Sequence, residues 1–138
     1  MAETTAKKLK VVVVTPERAI LDESADMVIL PMFDGELGVL PGRAALIGRL
    51  GAGELRITEA GATKRYFIDA GFAQVRANVV TVLTAKSNPA SELNPLKAAE
   101  ARTTADALPS TNSIERTNRQ KALDRARGMA AVAAKNAV

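Results

Sequence analysis

The sequence predicts an all-β N-terminal sandwich of about ten short antiparallel strands, followed by a C-terminal antiparallel two-helix hairpin: α+β overall. Three observations predict it. Short β-branched or alternating runs, punctuated by Gly, Asn and Asp, recur at roughly ten-residue spacing up to residue 86. Beyond that point alanine displaces the β-branched residues. The charge also segregates. Residues 1–109 carry equal numbers of basic and acidic residues, so the whole net charge of +4 falls in 110–138. The expected division is a sandwich over 1–87 and a helical hairpin over 88–138.

Taken in order, LKVVVVT (9–15) is apolar on both faces, as inside a sandwich. AIL (19–21) and DMVILP (26–31) follow, separated by an expected turn at Asp22-Glu23-Ser24. The stretch GELGVLPGRAAL (35–46) holds two tight turns, Asp34-Gly35 and Pro41-Gly42, and leads into ALIGRL (45–50). ELRIT (54–58) alternates, with Leu55 and Ile57 on one face and Glu54, Arg56 and Thr58 on the other. TKRYFID (63–69), GFAQVR (71–76) and VVTVLT (79–84) complete the strands. Their expected connections are Glu59–Ala62, Asp69-Ala70-Gly71 and Ala77-Asn78.

Lys86–Ser91 reads as a linker from its turn formers. Asn94-Pro95 then starts a helix to about residue 107, with asparagine as cap and proline at the first helical position. Leu108–Asn112 breaks it, and a second helix runs from Asn112 or Ser113 into the 130s. Glu115 and Arg119 form a favourable i,i+4 pair there. The apolar face of this hairpin is mostly alanine, and Gly128 within it costs about 1 kcal/mol relative to alanine. Such a unit is marginal unless it docks on something.

Composition excludes several chemistries. There is no Cys and no His, so no disulfide, thiolate metal site or histidine-based catalysis. No apolar run of about 20 residues is present, and MAETTAKKLK lacks the apolar core of a signal peptide. The glycines of 35–46 do not lead into a helix and no Lys-Ser/Thr follows, so they do not form a phosphate loop. Asp22, Glu23 and Asp26 flank a turn without further ligand spacing; no catalytic residue, metal or cofactor is expected. Four aromatics, Phe33, Tyr66, Phe67 and Phe72, leave little for base stacking. A basic tail still leaves open a free-standing sandwich that binds nucleic acid or acidic partners.

Four stretches together resemble the epsilon subunit of bacterial F-type ATP synthases. They are Val14-Thr15-Pro16-Glu17, the run Asp34 to Gly42, Gly71-Phe72-Ala73-Gln74-Val75, and Asn78 to Leu83. The resemblance spans roughly residues 9 to 135. It implies a non-catalytic central-stalk subunit that couples gamma to the c-ring and regulates ATP hydrolysis. Asp34, Gly35, Glu36, Leu37 and Gly38 would face the ring; Pro41, Gly42 and Arg43 would face gamma. The basic second helix, with Arg116, Arg119, Lys121, Arg125 and Arg127, would extend toward the acidic surfaces of the alpha and beta subunits. Nucleic acid is not an expected partner. The implied location is peripheral, on the cytoplasmic side of the bacterial inner membrane. Two departures stand out. Arg43-Ala44-Ala45 replaces the family's usual His-Ala-Pro after Pro-Gly. Asn94 and Lys97 replace the Asp and Arg of an ATP-binding L-D-x-x-R-A pattern, removing a carboxylate and a bidentate fork.

Overall fold

A computed structural model describes residues 8–136; the segment 1–7, read above for a signal peptide, lies outside the described residues. The chain forms β1 (Leu9–Val14), β2 (Ala19–Ala25), β3 (Met27–Met32), β4 (Gly35–Val39), β5 (Leu46–Glu59), β6 (Ala62–Arg76), β7 (Val79–Leu83) and β8 (Ser87–Pro89). A 3-10 turn (Ala90–Glu92) leads to α1 (Pro95–Asp106) and α2 (Ser113–Asn136). The strand order is β2-β1-β7-β6-β5-β3-β4, and β8 also pairs with β6.

Two pairs of expected strands are each one long strand, so the described strands number eight even with the unexpected β8. β5 and β6 pair from Leu46↔Val75 to Glu59↔Ala62. Core positions run Leu50 then Leu55 on β5, and Ile68 then Ala73 on β6. Both intervals are five residues, so inward and outward alternation slips phase at the same level on both strands. The slip falls between the pairs Leu50↔Gly71 and Gly53↔Ile68, where Ala70 and Gly71 have φ of 58° and 123°. The expected turn at 69–71 is therefore a kink within a continuous ribbon. A Cβ on Gly71 would lie 2.0 Å from the Leu83 carbonyl oxygen, so only glycine fits there.

Three other expectations change. β2 continues through Asp22-Glu23-Ser24, paired with β1. Its carboxylates are compatible with an exposed edge strand, where Asp22 meets Lys10 at 3.8 Å and Glu23 meets Lys64 at 2.8 Å. The sheet is not wholly antiparallel, because β1 lies parallel to β7 with Val12 opposite Thr81. Residues 87–89 are not a free linker but β8, with Asn88 opposite Phe67. The turns at Ala60-Gly61 and Ala77-Asn78 form as expected, each with two consecutive positive φ values.

One core fills the sandwich, built from Leu9, Val11, Leu30, Leu55, Ile57, Ile68 and their neighbours. A second, smaller core lies outside the sheet: Phe67, Ala90, Leu93, Val132 and Ala133, with Ala52 and Met129 at its edge. Tyr66 packs on the first core and its neighbour Phe67 belongs to the second, as opposite faces of a strand require. The hairpin thus rests on the outer face of the ribbon beyond its kink.

Local chemistry sets both helix starts. Asn94 Oδ1 accepts the Lys97 backbone N–H at 2.8 Å, with Pro95 at the first helical position. Asn112 Oδ1 accepts the Glu115 N–H at 2.8 Å, while the Glu115 carboxylate accepts from Thr111 N–H and Oγ1 at 3.1 and 2.8 Å. The expected Glu115–Arg119 pair consequently does not form. Glu115 is committed to the cap, and Arg119 reaches Asp106 on α1 at 3.4 Å.

Candidate functional site

The most densely connected polar site in the described residues joins α2 to the β5–β6 ribbon. Gly128 makes the approach possible. A Cβ there would lie 2.7 Å from the Ala52 carbonyl oxygen and 3.2 Å from the Ala52 side chain. The residue read from sequence as a pure cost to the helix is what lets two backbones meet. Around this contact, Val132 and Ala133 cover Phe67, whose burial contributes on the order of 2 kcal/mol.

Glu54 is the electrostatic centre. Its side chain is only 5% exposed, because α2 covers the outward face that the alternation of ELRIT assigns to it. Oε2 accepts from Arg65 Nε and Nη2 at 2.7 and 2.6 Å. Oε1 accepts from Arg56 Nη1 at 3.0 Å and Lys135 Nζ at 3.1 Å. Arg65 also donates to Asn136 Oδ1 at 2.7 Å and to the Val132 carbonyl at 3.3 Å. Asn136 in turn donates to the carbonyls of Ala90 and Leu93. At the other end of the contact, Arg125 Nε donates to Asp69 Oδ2 at 2.6 Å. Burial pushes the Glu54 carboxyl up, but the hydrogen bonds from Arg65, Arg56 and Lys135 outweigh it and hold the group below its ordinary value of 4.5.

The sequence-predicted residues are distributed over several places. The β3–β4 turn is Phe33-Asp34, one residue earlier than the expected Asp34-Gly35, because Gly35 already pairs with Met32; Gly35, Glu36, Leu37 and Gly38 lie on β4, at one end of the sheet order. Of these Glu36 is engaged, through Arg56 Nη2 at 3.2 Å. Pro41-Gly42 forms the second turn, closed by Arg43 N–H to the Leu40 carbonyl at 3.2 Å. Gly42 N–H donates to Asn78 Oδ1 at 2.8 Å, which ties this turn to the β6–β7 turn. The Arg43 side chain is exposed. The basic helix divides: Arg125 is held by Asp69, Arg119 by Asp106, and Arg127 lies 3.8 Å from Asp124. Arg116 and Lys121 make no ion pair among the described residues and are exposed. Asn94 and Lys97 are both used locally, the first as helix cap and the second donating from Nζ to the Glu92 carbonyl at 3.2 Å.

Sequence reasoning missed two features. One is the Glu54–Arg65–Asp69–Arg125 set, signalled only by the small residues Gly51-Ala52-Gly53 that precede Glu54. The other is a bare apolar face on the half of the ribbon that α2 leaves open. Leu83, Phe72 and Arg49 stand side by side on β7, β6 and β5, with Ile47 two residues along from Arg49. Phe72 is 54% exposed and Ile47 is 75% exposed. Arg49 stacks its guanidinium 4.4 Å over the exposed Phe33 ring. Clustered exposed apolar side chains of this kind mark an interaction surface.

The arrangement is that of an interaction module: one outer half-face occupied by the chain's own hairpin, the other free, and no carboxylate trio converging among the described residues. No described helix is long and apolar enough to cross a membrane. Residues 8–90 match the family model described as ATP synthase, Delta/Epsilon chain, beta-sandwich domain. The chain is 48% identical to the ATP synthase epsilon chain of Rhodopirellula baltica, over 87% of this chain and 94% of that one. It is 35% identical to the epsilon chain of Symbiobacterium thermophilum, over 86% and 87%. A chain of the Euglena gracilis mitochondrial ATP synthase, in an OSCP/F1/c-ring structure, superposes with a TM-score of 0.78 at 26% identity, covering 95% of this chain and 85% of that one. The chain belongs to the ATP synthase delta/epsilon family.

Acid provides a test of the Glu54 site. Its carboxyl titrates lower in the folded chain than in the unfolded one, where Arg65, Arg56 and Lys135 are no longer held against it. Its contribution to folding stability is therefore complete above the ordinary value of 4.5, and is lost as pH falls through the lowered folded value. Denaturant unfolding of the chain and of Glu54→Gln between pH 7 and 3 should show a stability difference that holds down to the ordinary carboxyl range and shrinks below it. A difference already shrinking between pH 7 and 5 would contradict this assignment.

Proposed function

We propose that the chain is a non-catalytic central-stalk subunit of a rotary ATP synthase, which couples gamma to the c-ring and restrains ATP hydrolysis with its hairpin. The observation that carries this reading is the split outer face of the β5–β6 ribbon. One half holds a basic hairpin by a small apolar core and ion pairs. The other half offers Phe72, Ile47 and Leu83 to a partner. A subunit that must grip a rotor with one face and release a regulatory arm from another requires this separation. The relatives support it: they are epsilon chains of ATP synthases, and the Euglena match comes from an assembly with F1 and a c-ring.

In this reading the bare apolar face and the turn at Pro41, Gly42 and Arg43 meet gamma, and Asp34–Gly38 meets the ring. The released α2 presents Arg116, Arg119, Lys121, Arg125 and Arg127 to acidic surfaces of the alpha and beta subunits. Asn94 and Lys97 act as helix cap and tether rather than as nucleotide ligands. The sandwich and the hairpin divide near residue 90, just past β8. The subunit is peripheral, on the cytoplasmic side of a bacterial inner membrane.

Reconstitution tests this directly. A chain ending at Ala90 keeps β8 and should still copurify with gamma, while ATP hydrolysis by the complex rises severalfold over that with the full chain. Unchanged hydrolysis would remove the restraining role. In the same pull-down, Phe72→Asp should weaken capture of gamma by about 30-fold, the scale of losing one apolar anchor of about 2 kcal/mol, with the thermal transition of the free chain preserved. Undiminished capture would move gamma to a different face.

A further inference from the structure

Glu36 and the α2 docking site are linked by one residue. Arg56 extends its fork in two directions: Nη2 to Glu36 Oε1 at 3.2 Å and Nη1 to Glu54 Oε1 at 3.0 Å. The same Oε1 of Glu54 accepts from Lys135, on the last turn of α2, at 3.1 Å. Glu36, Glu54 and Lys135 also line one groove of about 480 Å³ between the β3–β4 turn and α2. The exposure of the members is graded. The Glu36 side chain is open to a partner, that of Arg56 is about three-quarters buried, and that of Glu54 is almost fully buried. The exposed carboxylate is thus bridged to the buried one by a single guanidinium.

We propose that Arg56 couples engagement of Glu36 by a cationic or hydrogen-bond-donating partner to release of α2. The assignment of that partner as the c-ring rests on the function proposed above. The physical step is a competition. With Glu36 free, Arg56 divides its charge between two carboxylates. When a partner group satisfies Glu36, Arg56 is left to Glu54 alone. Two cations, Arg56 and Lys135, then converge on one carboxylate oxygen without the compensating charge of Glu36. Lys135 is the more exposed of the two and is carried by the detachable element, so it is the one displaced. Linkage makes the effect reciprocal: release of α2 lets Glu54 take Arg56 and leaves Glu36 more available to its partner. Engagement of Glu36 and release of α2 become one equilibrium.

The test is a double-mutant cycle on the isolated full-length chain, read by hydrogen exchange of α2 amides in 126–134. Glu36→Gln mimics a satisfied Glu36. It should speed their exchange about twofold to fivefold, the scale of one partly exposed ion pair. In an Arg56→Gln background the same substitution should have no effect. β6 and β7 amides must stay protected throughout. If Arg56→Gln loosens them, Arg56→Lys replaces it; a single ammonium cannot bridge both carboxylates as the fork does, so the effect of Glu36→Gln should shrink. An equal effect of Glu36→Gln in both backgrounds, or none in either, overturns the coupling. The ring assignment stands apart, on cross-linking of Glu36→Cys to ring subunits in the assembled complex.

Discussion

The arrangement depends on one place where the backbone of α2 meets the backbone of β5. Gly128 faces the Ala52 carbonyl, and any side chain there would force the elements apart. Everything else at the hairpin interface follows from that proximity. It lets Val132 and Ala133 reach Phe67, and brings Arg125 and Lys135 within bonding distance of Asp69 and Glu54. Glycine costs the helix about 1 kcal/mol. The alanine-rich packing returns little per residue, and a buried ion pair must first overcome desolvation. The interface is therefore held by several small terms of similar size. On the function proposed above, that suits an arm that is released.

The ribbon supplies the other half of the design. Because β5 and β6 slip phase together, their outer surface is divided at the kink. Beyond it, the surface is roofed by α2; before it, Phe72, Ile47 and Leu83 stay open. One continuous pair of strands thus carries both the open apolar face and the seat of the hairpin. Arg56 sits on the roofed half but reaches Glu36 on the edge strand β4, so the hairpin seat and that edge are physically contiguous.

Much of this was legible in the sequence. The strand-to-helix order, the turns at Ala60-Gly61 and Ala77-Asn78, and the cap at Asn94-Pro95 follow from local rules, and the tertiary bonds to Asn78 and Ala60 act in the same direction. The long strands were not legible, because the phase slip at Gly51–Gly53 and Asp69–Gly71 makes each resemble two short ones. β8 was hidden because Ser-Asn-Pro carries turn chemistry, and only pairing with β6 makes it a strand. Alternation put Glu54 on the face opposite Leu55 and Ile57 but did not show its burial, because alternation reports the side of a sheet, not what covers it. Glu115 and Arg119 failed as a pair because the cap and Asp106 offered each a better partner. The acidic partners that hold the basic helix, Asp69 and Glu54, are more than 50 residues away in sequence and only the fold brings them to it.

The central claim is that the hairpin is a separately releasable unit on a stable sandwich. Native-state hydrogen exchange of the full chain in increasing denaturant tests it most directly. The account predicts that α1 and α2 amides merge into one opening event of low free energy, while the amides of β1, β5, β6 and β7 exchange only with global unfolding. Exchange of the helices and the sheet through a single common opening would contradict it.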